Sequence, residues 1–191
     1  MSRNIRCFFA IELPPELKER IAAFLSELKK QASGVKWVKS DALHITLKFM
    51  GNQPPERVDK LVTTLLSNPL SVDGFGIRVE GFGAFPNKRR PRVFWLGVES
   101  LPRTPLYSLF EQLEQQLEPL GFERENRRFS PHLTLGRVKT PADFDRLWNW
   151  AEENPFRTFQ FEVESFVLMQ SILKPSGAEY KLLQKYPLHT I

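Results

Sequence analysis

Cysteine is almost missing from this chain. Cys7 is the single one in 191 residues, so no internal disulfide is available and no paired-cysteine zinc spacing exists. Long apolar runs are missing as well. The opening run from Cys7 to Ile11 is stopped at once by Glu12, far short of the roughly 20 apolar residues that a membrane-spanning helix needs, and it carries no cleavable signal pattern. The expectation is a reducing, cytoplasmic compartment with no membrane association, and a Cys7 that serves as a small buried hydrophobe. Glycine is sparse, at 10 residues. Gly74-Phe75-Gly76 and Gly81-Phe82-Gly83 sit in strand-like sequence, where they read as bulges or close backbone contacts rather than as a dinucleotide fingerprint. Phosphate-loop, nucleophile-elbow and His-Glu-x-x-His patterns are all absent. Charge is nearly balanced, 27 Lys plus Arg against 22 Asp plus Glu for a net of +5, which is weak for an obligate duplex-DNA binder and suited to an anionic substrate.

What is present has a repeated order. Ile5 to Glu12 reads as a strand ended by Leu13-Pro14-Pro15, and Leu17, Ile21, Phe24, Leu25 and Leu28 follow at helical spacing. Leu43 to Phe49 alternates, with Leu43, Ile45, Leu47 and Phe49 on one face and His44, Thr46 and Lys48 on the other. Pro54-Pro55 opens a second helix with Val58, Leu61, Val62, Leu65 and Leu66, and Val72 to Phe85 is extended. The order then recurs. Arg92-Val93-Phe94-Trp95 echoes Arg6-Cys7-Phe8-Phe9, and a helix with Leu106, Leu109, Phe110, Leu113 and Leu117 comes next. Pro131 to Leu135 matches Leu43 to Leu47, and Pro141 opens a helix with Phe144, Leu147, Trp148 and Ala151. The landmark pairs Arg6/Arg92, His44/His132 and Pro54/Pro141 are separated by 86, 88 and 87 residues. Near-constant spacing predicts a duplicated strand-helix-strand-helix unit with landmarks at 6–67 and 92–153.

Two of the three histidines have threonine two places later within apolar strand sequence. Strand side chains alternate, so His44 and Thr46 project the same way about 6.6 Å apart, as do His132 and Thr134. A pseudo-two-fold would bring both pairs to one cleft. Facing imidazoles suit phosphodiester chemistry, since one can take a proton from the nucleophile while the other gives one to the leaving oxygen, near an ordinary pKa of about 6.5. Threonine hydroxyls can hydrogen-bond the phosphoryl oxygens as charge builds there. This chemistry calls for no metal and no cofactor. His189 lies near the chain end with Ile191 two places later, and is expected to be structural. Two basic clusters, Lys88 to Arg92 and Arg124 with Arg127 and Arg128, lie near repeat landmarks. Each alone reads first as a solvated face, and Arg89, Arg90, Arg127 and Arg128 are candidate RNA contacts.

Paired H-x-T-x motifs resemble the 2H phosphoesterase superfamily, and within it the bacterial and archaeal RNA 2′,3′-cyclic phosphodiesterase branch historically called 2′-5′ RNA ligase. The segments that carry the resemblance are RCFFAIELP (6–14), HITLKFMG (44–51), FGAFPNKRRPRVFWLGV (82–98), FSPHLTLGR (129–137) and SILKPSGAEYKLLQKYPL (171–188). The resemblance implies a bilobal α+β fold, each lobe an antiparallel sheet with outer helices, around a central cleft. It implies hydrolysis of a terminal 2′,3′-cyclic phosphate on RNA to a 2′-phosphomonoester, with 2′-5′ ligation as a variant of the same reaction. His44 would be the proton donor, His132 the proton acceptor, and Thr46 and Thr134 would bind phosphate. Arg137 closes the second motif, but ideal alternation puts it on the Leu133 and Leu135 face unless Gly136 introduces a bulge. The implied partners are RNA ends, tRNA fragments among them, or cyclic nucleotides, acted on by a monomer. The alternative is an RNA- or nucleotide-binding module that kept the cleft and lost turnover. Binding alone does not require a matched acid and base, which favours the enzyme.

Overall fold

The computed structural model describes residues 4–174 and 177–189. Pro175 and Ser176, part of the closing segment quoted above, lie outside the described residues. The chain runs β1 (Ile5–Glu12), α1 (Pro15–Gln31), β2 (Val35–Trp37), β3 (His44–Gln53), α2 (Pro55–Ser67), β4 (Phe75–Phe85), β5 (Val93–Leu101), α3 (Thr104–Leu117), β6 (His132–Val138), α4 (Asp145–Glu153), β7 (Phe159–Val163), β8 (Ser165–Lys174) and β9 (Gly177–Pro187). No described helix is long and apolar enough to cross a membrane.

The helices follow from their apolar stripes. Leu17, Ile21, Leu25 and Leu28 of α1 are buried, as are Val58, Leu61 and Leu65 of α2, at the spacing that puts them on one face. Proline in the first turn of α1, α2 and α3 presets φ and has no N–H to leave unpaired. The fourth helix departs from expectation. It starts at Asp145 rather than Pro141, because the Asp143 carboxylate accepts the Asp145 N–H at 2.9 Å and makes a local turn ahead of the helix.

The strands join in the order β7-β4-β5-β6-β3-β1-β8-β9, with β2 added to β6, and every pairing between these strands is antiparallel. Two four-strand halves therefore meet at β3 and β6. The half β7-β4-β5-β6 is one contiguous stretch of chain, whereas β3-β1-β8-β9 joins the two ends of the chain, since β8 follows β7 yet pairs with β1. One apolar cluster runs under both halves. The helices also pack across the halves. Phe24 of α1 lies 5.5 Å from Trp150 of α4 and 6.1 Å from Phe82 of β4. Strand β1 is apolar from Cys7 to Ile11 because both of its faces are covered there. Cys7, Phe9 and Ile11 enter the main core, while Phe8 and Ala10 form a small second cluster with Val167. Cys7 is buried and free.

Two glycines carry specific geometry. Gly81 is the extra residue between Glu80 and Phe82 in the β4–β5 register and has φ +70°, the bulge expected of it. Gly136 faces β2 so closely that a Cβ there would lie 2.7 Å from the Trp37 ring and 2.8 Å from Val35. Gly136→Ala should therefore destabilise the fold by about 1–3 kcal/mol through overpacking, roughly a 3–10 °C loss in Tm. An unchanged Tm on thermal unfolding would show that β2 yields freely.

Candidate active site

Strands β3 and β6 each begin on a histidine. They touch through one register pair, Ile45 opposite Leu133. Both of these side chains are fully buried toward the helices, so the residues on either side of them face the other way. Antiparallel register through this pair sets His44 across from Thr134 and Thr46 across from His132. All four line one cleft of about 670 Å³. The sequence placed each His with its Thr, and the fold brings the two pairs together.

The histidines are held alike. His44 Nδ1–H donates to the Ala42 carbonyl at 2.9 Å, and His132 Nδ1–H donates to the Ser130 carbonyl at 2.8 Å. A carbonyl can only accept, so Nδ1 carries the hydrogen and Nε2 is the nitrogen left for chemistry. Aromatic rings fix the imidazoles further. Phe8 and Tyr180 lie 4.7 and 5.0 Å from His44, and Phe85 lies edge-on to His132 at 4.9 Å. Burial pushes the His44 pKa down to about 4; the Ala42 hydrogen bond opposes this and the Lys18 charge adds to it. Burial lowers His132 too, against the Ser130 hydrogen bond and with help from the Arg137 charge.

Arg137 joins the cleft because β6 is bulged. Phe94 pairs with Gly136 and Trp95 with Thr134, leaving Leu135 as an extra residue. That extra residue reverses the alternation beyond it and turns Arg137 to the His132 face. Strand β3 carries the same device, with Leu47 extra between Thr46 and Lys48. There the residue turned into the cleft is Phe49, 58% exposed and 5.5 Å from Phe8.

The basic clusters divide. Arg127 and Arg128 line the cleft, together with Glu125 and Phe129. Arg89 and Arg90 sit on the exposed β4–β5 turn, where the Asn87 side chain accepts both backbone N–H groups at 3.0 Å, and neither lines the cleft. His189 bridges to Asp73 through its backbone, away from the site. Sequence reasoning missed Phe49 and Tyr180 as lining residues, and it put Lys48 on the His44 face, whereas the Leu47 bulge turns its ammonium to Glu114 of α3. Phe49 was within reach, since it stands 88 residues before Arg137, the spacing that separates the histidines. Tyr180 comes from β9 and has no local signal.

Both histidines should titrate below the ordinary imidazole value of about 6.5 when followed by NMR in the free protein, His44 near 4 and each carrying its hydrogen on Nδ1. A His44 midpoint at or above the ordinary value would overturn this account of its burial.

Residues 13–174 match the family model described as the 2′-5′ RNA ligase superfamily. A Thermotoga maritima protein named RNA 2′,3′-cyclic phosphodiesterase is 35% identical over 180 residues, covering 94% of this chain and 93% of that one. An Archaeoglobus fulgidus protein of the same name is 36% identical over 184 residues, covering 95% and 99%. Among solved structures, E. coli LigT complexed with 3′-AMP is similar with a TM-score of 0.78 at 30% identity, covering 97% of this chain and 98% of that one. TT0787 of Thermus thermophilus gives 0.79 at 28% identity, covering 96% and 98%. The matched region holds both His-x-Thr strands and the register pair that sets them edge to edge: the chain belongs to the 2′-5′ RNA ligase superfamily.

Proposed function

We propose that this protein opens 2′,3′-cyclic phosphate ends of RNA to 2′-phosphomonoesters by general acid–base catalysis with two histidines. The observation that carries the reading is the pair of like-anchored imidazoles on adjoining strands, each with Nδ1 committed and Nε2 free. With the phosphorus between them, His132 Nε2 takes a proton from the attacking water as its oxygen bonds to phosphorus. The bond from phosphorus to the 3′ oxygen breaks on the other side, and His44 gives that oxygen its proton. Thr46 and Thr134 hydroxyls and the Arg137 guanidinium donate to the non-bridging oxygens, where charge accumulates. Phe8 and Tyr180 pack on His44, and Phe49 packs on Phe8. An apolar, aromatic wall there suits the nucleoside, which puts the leaving 3′ oxygen beside His44 and fits the assignment of that side chain as donor. RNA fragments with cyclic ends, those of tRNA among them, and cyclic nucleotides share this end group, and an attacking RNA hydroxyl in place of water would give 2′-5′ ligation.

We further infer one bilobal domain built from a duplicated unit. The extra residues Leu47 and Leu135 each fall three places after their histidine, an irregularity that would not arise twice at one spacing by chance folding of unrelated segments.

His44→Ala and His132→Ala should each lower turnover of a cyclic-ended oligonucleotide roughly 10²- to 10⁴-fold, and the double variant should lose far less than the product of the two. Folded single variants with near wild-type rates would sink the mechanism. The pH profile offers a separate check. The free protein's imidazoles lie below their ordinary value, so protonated His44 is scarce near neutrality and kcat/KM should peak on the acid side of about 6.5. A bound phosphoryl anion favours imidazolium and raises both values. The kcat profile, which reports the bound complex, should therefore lie at higher pH than that of kcat/KM. Coincident profiles centred at alkaline pH would contradict it.

A further inference from the structure

Lys48 and Glu114 form the one salt bridge among the described residues with both side chains buried, at 2.6 Å and with 8% and 3% of their surfaces exposed. Desolvating two charges is costly, and a packed apolar pair generally serves stability as well. The pair's other hydrogen bonds point to a different role. Lys48 Nζ also donates to the Glu123 carbonyl at 2.8 Å, and the second Glu114 oxygen accepts the Glu125 N–H at 3.2 Å. Both bonds grip residues 122–131, a stretch with neither helix nor strand that supplies Arg127, Arg128, Phe129 and Ser130 to the cleft. The ends of this stretch are anchored independently. Phe122 lies under the Arg57 guanidinium at 4.0 Å, and Phe129 stacks on Phe110 at 4.2 Å. Its middle is held by the buried pair and by Arg124 on the exposed Glu111 at 2.6 Å. Neither Arg127 nor Arg128 is in an ion pair among the described residues.

We propose that Lys48 and Glu114 are positioning residues whose buried pair keys the Arg127–Arg128 segment to the phosphate site, so that these guanidiniums meet backbone phosphates of RNA upstream of its cyclic end. This rests on the RNA-end reading above. Lys48 follows Thr46 by two residues on β3, so a shift of the phosphate-binding strand and a shift of the arginines are mechanically one. A cyclic mononucleotide has no upstream phosphate and does not use the device.

The test compares the wild type with K48M/E114L, which replaces the pair by apolar groups of similar volume, and with E114Q, which keeps the acceptor for Glu125 but removes the charge. KM and kcat are measured on a cyclic-ended oligoribonucleotide and on a 2′,3′-cyclic mononucleotide, and oligonucleotide binding is read separately by fluorescence anisotropy. K48M/E114L should raise the oligonucleotide KM and Kd roughly tenfold, the scale of a weakened charge-assisted contact, with little change in kcat and a flatter salt dependence. E114Q should act in the same direction by less. In an R127A/R128A background the further effect of K48M/E114L should vanish, since the groups it positions are gone. Additive losses in that background, equal losses on both substrates, or failure of both variants to fold would each overturn the proposal and leave the pair a structural element. A wild type that binds the oligonucleotide without opening it would refute the reaction instead, with positioning still read from Kd.

Discussion

The site depends on one backbone pairing, Ile45 opposite Leu133, where the two halves of the sheet meet. Both side chains are fully buried, and the strand period of two then forces the four polar neighbours onto the opposite face. Hydrophobic burial on one side thus fixes the chemistry on the other. A slip of one residue would point the histidines into the helices. The halves cannot slide easily, because the chain passes from one to the other after α2 and back after β7, and Phe24 of α1 packs on Trp150 of α4 and Phe82 of β4. The neck is narrow, but the core beneath it is continuous.

In the proposed duplicated frame, two like halves have to bind a substrate that has no two-fold symmetry. The matching bulges solve this by exposing different residues at equivalent places. After Leu135 the chain presents Arg137, a cation whose charge reaches His132 and Tyr180. After Leu47 it presents Phe49, an exposed ring beside Phe8. One half thus offers the cleft a cation and the other an apolar plane. The next outward position differs too: Gly136 gives β2 room to approach, whereas its counterpart Lys48 reaches under α3 to Glu114.

Much of this was legible in sequence, for physical reasons that also explain the gaps. The His-x-Thr pairs, the buried helix faces and the near-constant spacing are local or periodic signals, and these set the elements, their order and the polar face of β3 and β6. The side of β6 taken by Arg137 turned on a bulge, which depends on the partner strand's register. Alternation alone placed Arg137 on the apolar face. Pro141 looked like a helix start, but the Asp143 turn delays α4 to Asp145. The segment 122–131 has no periodicity to read, and its place is set by long-range bonds from Lys48 and Glu114. Tyr180 reaches the cleft from β9 by sheet order alone. Arg89 and Arg90 had the same composition signal as Arg127 and Arg128, and tertiary placement alone separates them.

Burial depresses both histidines first, and the cations that would attract an anion add to it. Arg137 lowers His132, and Lys18 lowers His44, each adding to burial. With Arg127 and Arg128 also lining the space, the cleft by itself favours neutral imidazoles, because a further positive charge would be poorly solvated and repelled. In the proposed mechanism, burial and the field that draws in an anion together keep the His44 imidazole uncharged until the anion arrives. A phosphoryl group between the rings reverses the balance, since its charge offsets the guanidiniums and stabilises imidazolium on whichever side it is better aligned. In the proposed mechanism the aromatic wall beside His44 decides that alignment by seating the nucleoside there, and so breaks the equivalence of two side chains whose own anchoring is the same. On that proposal the difference between acid and base is made by the orientation of the substrate between two strands that anchor their histidines alike.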